Sequence, residues 1–143
     1  MSAYSALLVI SQLILLGYLS LTGLLSHSIF LLGLQILGVG IALWGIVAMR
    51  LGQFNIQPEV KSSQLIERGP YRWIRNPMYL GILLVLIPSV VDHFNYWRLS
   101  ALILLVIILM LKVQREEKLL HIHFEEAYAA YKRRTKRFLP FIF

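Results

Sequence analysis

The stretch IFLLGLQILGVGIALWGIVAM, residues 29–49, contains no Asp, Glu, Lys or Arg. An α-helix rises about 1.5 Å per residue, so about 20 apolar residues cross the roughly 30 Å hydrocarbon layer of a bilayer. The stretch is therefore read as a transmembrane helix. Upstream, Ala3 to Leu25 is another block without a charged residue, separated from the first only by Ser26, His27 and Ser28. The two read as an N-terminal transmembrane hairpin within residues 1–50. The first block lacks a basic n-region and runs almost directly into another span, which argues against a cleaved signal peptide.

Downstream, Arg50 to Asn76 is polar, contains Pro58 and Pro70, and carries the Gly69-Pro70 turn signal, so it belongs outside the hydrocarbon. Met78 to Val91 is a third apolar block and Trp97 to Val113 a fourth. The third falls below the roughly 17-residue minimum for a span. It either borrows Asn76, Pro77 and His93 to Tyr96 at its ends or forms a re-entrant or broken helix, with Pro88 as the kink. Gln114 to Arg137 is charged throughout and reads as a helix that leaves the membrane. Within it Glu117, His121, Phe124 and Tyr128 recur at helical spacing, along one face. The fold class is all-α: a polytopic membrane protein of about four transmembrane helices plus a C-terminal cytoplasmic or interfacial helix. Residues 1–143 form a single membrane domain, with 51–143 as its functional core.

Composition agrees. In 143 residues, 58% are hydrophobic, 15% are charged and the mean hydropathy is +0.70. A soluble domain is about 45–50% apolar. The net charge of +7 sits beside the apolar blocks, which points to membrane topology and anionic lipid and away from nucleic acid. Cations cluster in the second connection (Arg50, Lys61, Arg68, Arg72, Arg75) and in the tail (Lys112, Arg115, Lys118 and Lys132 to Arg137). Only Arg98 lies elsewhere. Four spans put both clusters on one side, cytoplasmic by the positive-inside bias, with both termini. That membrane is the cell inner membrane if the source is bacterial.

With no cysteine, thiolate chemistry and zinc–thiolate sites are excluded. Glu116 and Glu117 sit just past the fourth block. Beside Lys112 and Lys118 they read as a solvated helix face or as a receptor for a cation. Asn76-Pro77 starts the third span as N-cap and first helical residue. The helix N-terminus there offers free N–H groups and partial positive charge to a carboxylate or phosphate. Tyr79, one turn deeper, sits where interfacial aromatics anchor. His121 and His123, two apart on a helix, point about 200° away from each other and do not share a metal. Gly33, Gly38, Gly40 and Gly45 read as helix-packing positions, and Gly38-Val39-Gly40 lacks the strand-turn-helix context of a dinucleotide fingerprint.

The stretch ERGPYRWIRNPMYLG, residues 67–81, followed by REEKLLHIHFEEAYAAYKRRTKRFLPF, residues 115–141, resembles the isoprenylcysteine carboxyl methyltransferase and phospholipid methyltransferase superfamily. The corresponding features are Gly69 with Tyr71, Arg75 to Tyr79, Glu116 with Glu117, Phe124, Tyr128 with Tyr131, and Leu139 with Pro140. The resemblance implies methyl transfer from S-adenosylmethionine at the cytoplasmic membrane face, to an acceptor entering from the lipid. It implies that Ser63, Gln64, Leu65, Ile66 and Tyr71 hold the nucleoside. Asn76, Pro77, Met78 and Tyr79 would line the cofactor, Glu116 with Glu117 would bind its charged end, and Lys112 would be catalytic. No metal is implied. Asn76 stands where the family commonly has His, and Lys112 where its prenyl-protein enzymes have Arg. Lys lacks the planar bidentate fork, which weakens the case for a prenylated-protein carboxylate.

The expected function is S-adenosylmethionine-dependent methylation of an apolar or amphipathic lipid or small molecule, through a carboxylate, thiol or amine. A non-enzymatic membrane anchor with a basic tail accounts for the composition but not for the ordered motifs. A transporter has little support, because the apolar blocks hold no central charge.

Overall fold

The computed structural model describes residues 3–49 and 65–139; Arg50, Pro58, Lys61, Ser63, Gln64 and Pro140 lie outside them. Four helices follow in order: α1 (Ala3–Leu21), α2 (Ile29–Met49), α3 (Pro77–Asp92) and α4 (Tyr96–Arg134). α1, α2 and α4 are each long and apolar enough to cross a membrane, and α3 is a shorter apolar helix. This is a polytopic membrane protein.

Although α1 and α2 are joined by a short turn, each packs chiefly on a helix from the other half of the chain, α1 on α4 and α2 on α3. The arms of the expected hairpin are thereby interleaved with the rest of the bundle. The α2–α3 contact is close because both helices present glycine where they meet. A Cβ on Gly38 would lie 2.8 Å from the Gly81 carbonyl oxygen, and one on Gly81 would lie 2.7 Å from the Ala42 Cβ. Gly45 rests on Met78 in the same way, whereas Gly33 and Gly40 have nothing within 4 Å. Only two of the four glycines read as packing positions in α2 therefore act as such within this bundle.

The third block is one unbroken helix of 16 residues, with Pro88 inside it. It runs antiparallel to α2 from Met78 beside Gly45, past Gly38 and Gly81, to Asp92, whose carboxylate accepts from the His27 backbone N–H at 2.7 Å. α3 thus follows α2 from its C-terminal end back to the α1–α2 turn.

α4 begins at Asn95, whose side-chain oxygen accepts from the Trp97 N–H at 2.8 Å. Its apolar part ends at Val113, and the helix carries on through the charged segment to Arg134. Glu125 has φ +43°, outside the helical region, so the helix breaks direction there. The stripe expected along one face is interrupted at that residue, although the His121 and Tyr128 rings still meet edge to face at 6.2 Å.

The interior is apolar, around Leu19, Leu86, Leu105 and Leu109, but the outer surface is apolar as well. Leu7, Ile10, Ile14, Ile36, Leu43, Val47 and Ile107 face outward, while Ser5, Gln12, Gln35, Ser89, Arg98 and Lys112 are buried. In lipid a polar group finds partners only inside the bundle, so that is where the chain places them. Arg98 shows the logic. It donates to the carbonyls of Leu19 at 3.2 Å and Gly23 at 2.8 Å and to the hydroxyls of Thr22 and Ser89, closing the C-terminal end of α1.

Candidate active site

The site is assembled at the end of the bundle where α2 finishes and α3 begins. Gly69 opens a 3-10 turn, Gly69–Arg72, with φ +59°, a left-handed conformation that glycine adopts without steric cost. A Cβ there would also lie 2.7 Å from the Ala48 Cβ, so the turn sits tightly against the last turn of α2. The Arg68 guanidinium donates to the Ala48 carbonyl. This seating buries Tyr71, the third residue of the turn.

Past the turn, the chain pairs with the segment that follows α4. Ile74 and Lys136 form a parallel bridge: Arg75 N–H donates to the Lys136 carbonyl at 2.8 Å, and Lys136 N–H donates to the Trp73 carbonyl at 2.9 Å. The tail is thus strapped across the start of α3. Asn76 occupies the N-cap position and Pro77 the first turn, as their residue types suggest. The Asn76 side chain does not cap; its amide donates to the Arg137 carbonyl at 3.1 Å instead. The tail has taken that side chain away from the helix end.

The two glutamates have separate surroundings. Glu117 is buried and accepts from two guanidinium groups, from Arg75 Nε at 2.9 Å on Oε1 and from Arg137 Nη2 at 2.8 Å on Oε2. Arg75 also donates to the Thr135 carbonyl at 2.7 Å. Burial pushes the Glu117 carboxyl up, but the hydrogen bonds from Arg137 and Arg75 outweigh it and hold the group below the usual carboxylate range. Glu116 has no such partners. Its Oε1 accepts from the Tyr79 hydroxyl at 2.7 Å, and burial pushes its pKa up to about 7, against the lowering influence of Tyr79 and Lys112.

Lys112 is 1% exposed. Its ammonium turns back into the bundle, donating to Gln12 Oε1 at 2.6 Å and lying 5.5 Å from the centre of the Tyr79 ring. The reading of the Glu pair as a solvated helix face beside Lys112 does not hold: α1 covers the lysine, and the strapped tail covers Glu117. Tyr71 completes the group. Burial, then the nearby charge of Glu116, raises its phenol above the ordinary range, and its hydroxyl is buried with no hydrogen-bond partner among the described residues. Tyr131 holds the same turn from the tail, donating to the Tyr71 carbonyl at 2.8 Å.

The sequence model of the family described as phospholipid methyltransferase matches residues 24–127. The chain belongs to that family. The matched span contains α2, the turn, α3 and α4 through both glutamates, whereas Gln12, Tyr131, Thr135 and Arg137 lie outside it. No curated protein and no solved structure matches the chain.

Of the residues singled out in the sequence, Tyr71, Asn76, Pro77, Met78, Tyr79, Lys112, Glu116 and Glu117 come together at this end of the bundle. Leu65 and Ile66 lead into the turn, half-buried. Three contributors were not legible beforehand: Gln12, Arg75 as a partner of Glu117, and Arg137. Gln12 is a polar residue inside an otherwise apolar block, and that was its only signal.

Proposed function

We propose that this member of the phospholipid methyltransferase family transfers a methyl group from S-adenosylmethionine to an apolar or amphipathic acceptor. The carrying observation is the Tyr79–Glu116 hydrogen bond, which brings a partly buried carboxylate across to the start of α3 beside the Tyr71 hydroxyl, unpartnered among the described residues. These groups fit the donor. An ammonium matches Glu116, a carboxylate matches the N-terminus of α3, which no side chain caps among the described residues, and Tyr71 offers a hydroxyl and a ring. When bound, the donor supplies an electrophilic methyl group on a sulfonium.

The residues of the chain bind and orient. Glu116 holds the positive end, the Asn76 to Tyr79 corner receives the negative end, and Leu65, Ile66 and Tyr71 flank the nucleoside; Ser63 and Gln64, to which the family resemblance assigns the same role, lie outside the described residues. Glu117, in this reading, acts by positioning: through Arg75 and Arg137 it keeps the corner and the tail in register. Lys112 is placed between Tyr79 and Gln12, where its charge biases Glu116 toward the ionised form. Displacement at a methyl group needs alignment above all, and a general base is dispensable for an acceptor already present as carboxylate or thiolate. The family description and the lipid-facing bundle favour an acceptor that arrives laterally from the bilayer.

The test is calorimetric titration of the detergent-solubilised protein with S-adenosylhomocysteine. Saturable binding near one per chain is expected; a folded sample that gives no heat would remove the proposal and leave the anchoring role.

The same reading puts the site at the cytoplasmic face. The Arg115 guanidinium stacks 5.4 Å from the Tyr4 ring, so the start of α1 lies at the end of the bundle that carries Arg75 and Lys132 to Arg137. Reporter tags at Ser2 and Phe143 are expected to be cytoplasmic, and an outward-facing signal from either would reject this orientation.

A further inference from the structure

At the opposite end of the bundle, the turn between α1 and α2 meets the turn between α3 and α4 through three metal-ligating side chains. His27, Asp92 and His93 offer ligand atoms that all lie within 4.8 Å of one another. The His27 Nδ1 is 3.0 Å from Asp92 Oδ2, and the His93 Nδ1 is 3.7 Å from the same oxygen. Ligands about 2.0–2.2 Å from a tetrahedral zinc ion stand roughly 3.3–3.5 Å apart, so both separations lie within a few tenths of an ångström of that edge.

A second observation makes the cluster more than proximity. The His93 Nδ1 is buried with no hydrogen-bond partner among the described residues, an uncompensated polar atom aimed at the group. Its ring is held by the Gly23 turn, which packs against it: a Cβ on Gly23 would lie 3.0 Å from the His93 ring. Arg98 ties that turn down through the Gly23 carbonyl. The carboxylate is held as well, by the His27 backbone N–H at 2.7 Å. His27 itself is largely exposed, which leaves an open side for entry and for a water as fourth ligand.

We propose that His27, Asp92 and His93 form a zinc-class divalent metal site that clamps the two turns together, away from the methyl-transfer site. Two imidazoles and one carboxylate suit a borderline ion such as Zn2+ or Cu2+ and are a poor set for Mg2+ or Ca2+, which prefer all-oxygen shells. Metal replaces the proton that His27 otherwise shares with Asp92 and gives the orphaned His93 nitrogen a bond. The proposal does not rest on the methyltransferase reading, since no residue is common to the two sites.

The test uses the full chain without a histidine tag, stripped with chelator in detergent. Zn2+ is expected to bind at one per chain, measured by metal analysis after ultrafiltration, and to raise the thermal unfolding temperature by several degrees. His27→Ala, at an exposed position where folding is not at stake, and Asp92→Asn are each expected to weaken zinc binding at least tenfold. His121→Ala with His123→Ala, which removes the remaining histidines, is expected to leave it unchanged. With Cu2+ as probe, electron paramagnetic resonance is expected to show two imidazole nitrogens in the parent and one in His27→Ala. Zinc binding unaltered by His27→Ala, or no zinc binding by the folded parent, overturns the site.

Discussion

Glu116→Ala is expected to weaken S-adenosylhomocysteine binding by one to two orders of magnitude while leaving the thermal unfolding temperature at or above that of the parent. A charge-assisted hydrogen bond contributes roughly 1.5–3 kcal/mol, which sets the size of the loss. The unchanged stability follows from the surroundings. Burial penalises the Glu116 carboxylate enough to push its pKa up to about 7, and relief of that penalty on removal offsets the loss of the Tyr79 hydrogen bond. The sign of the pH dependence follows too. A ligand ammonium stabilises the carboxylate, so a proton must leave Glu116 on binding, and affinity falls as pH drops below about 7. Between pH 8 and pH 6 the parent is expected to lose roughly tenfold in affinity by calorimetry, and Glu116→Gln should be weak and flat over that range. A parent profile as flat as that of the variant would remove Glu116 from the ligand.

How much of this could be read beforehand depends on whether the deciding contact lies within one helix. The charge-free run from Ile29 to Met49 is α2 from its first residue to its last, because in a bilayer composition and span length measure the same distance. Asn76-Pro77 marks the start of α3 for an equally local reason. Contacts between elements were opaque. Lys112 and Gln12 are 100 positions apart, and the reading of the Glu pair as a solvated face beside Lys112 rests on neighbours along one helix, which say nothing about α1. Asn76 shows the limit from the other side: its position was legible, but its side chain belongs to Arg137, 61 residues away. The Glu pair read as one unit because adjacent residues share a sequence context. A helix turns about 100° per residue, and that rotation sends Glu116 toward α3 and Glu117 toward the tail.

Glu117→Ala is expected to do what Glu116→Ala does not, lowering stability by about 3–5 kcal/mol, the range for removing one partner from a buried ion pair. Two guanidinium groups lose their anion: Arg75, whose side chain is 10% exposed, and Arg137, which is 25% exposed. The greater burial of Arg75 makes it the more costly orphan, so Arg75→Ala combined with Glu117→Ala should recover part of the loss. The consequence reaches beyond stability, since Arg75 and Arg137 also carry the hydrogen bonds that strap residues 135–137 across the start of α3. Loss of the clamp frees the tail and unseats Tyr71, which Tyr131 holds from that side. Thermal unfolding in detergent should show the lowered midpoint, and limited proteolysis should cleave the tail after Arg133 or Arg134 in the variant before the parent. Because the native Glu117 carboxyl lies below its unfolded value, its contribution is fully present above the ordinary glutamate range and is lost only as pH falls through the lowered native value. Across pH 6 to 8 the Glu117 carboxyl itself stays ionised, so any change with pH in the difference between parent and Glu117→Ala comes through Glu116, whose pKa the Glu117 charge helps to raise. Adjacent carboxylates, one fixed in charge by arginines and one poised near neutrality, are thereby separable: a variant at 117 that binds ligand normally and unfolds at the parental temperature would contradict the clamp.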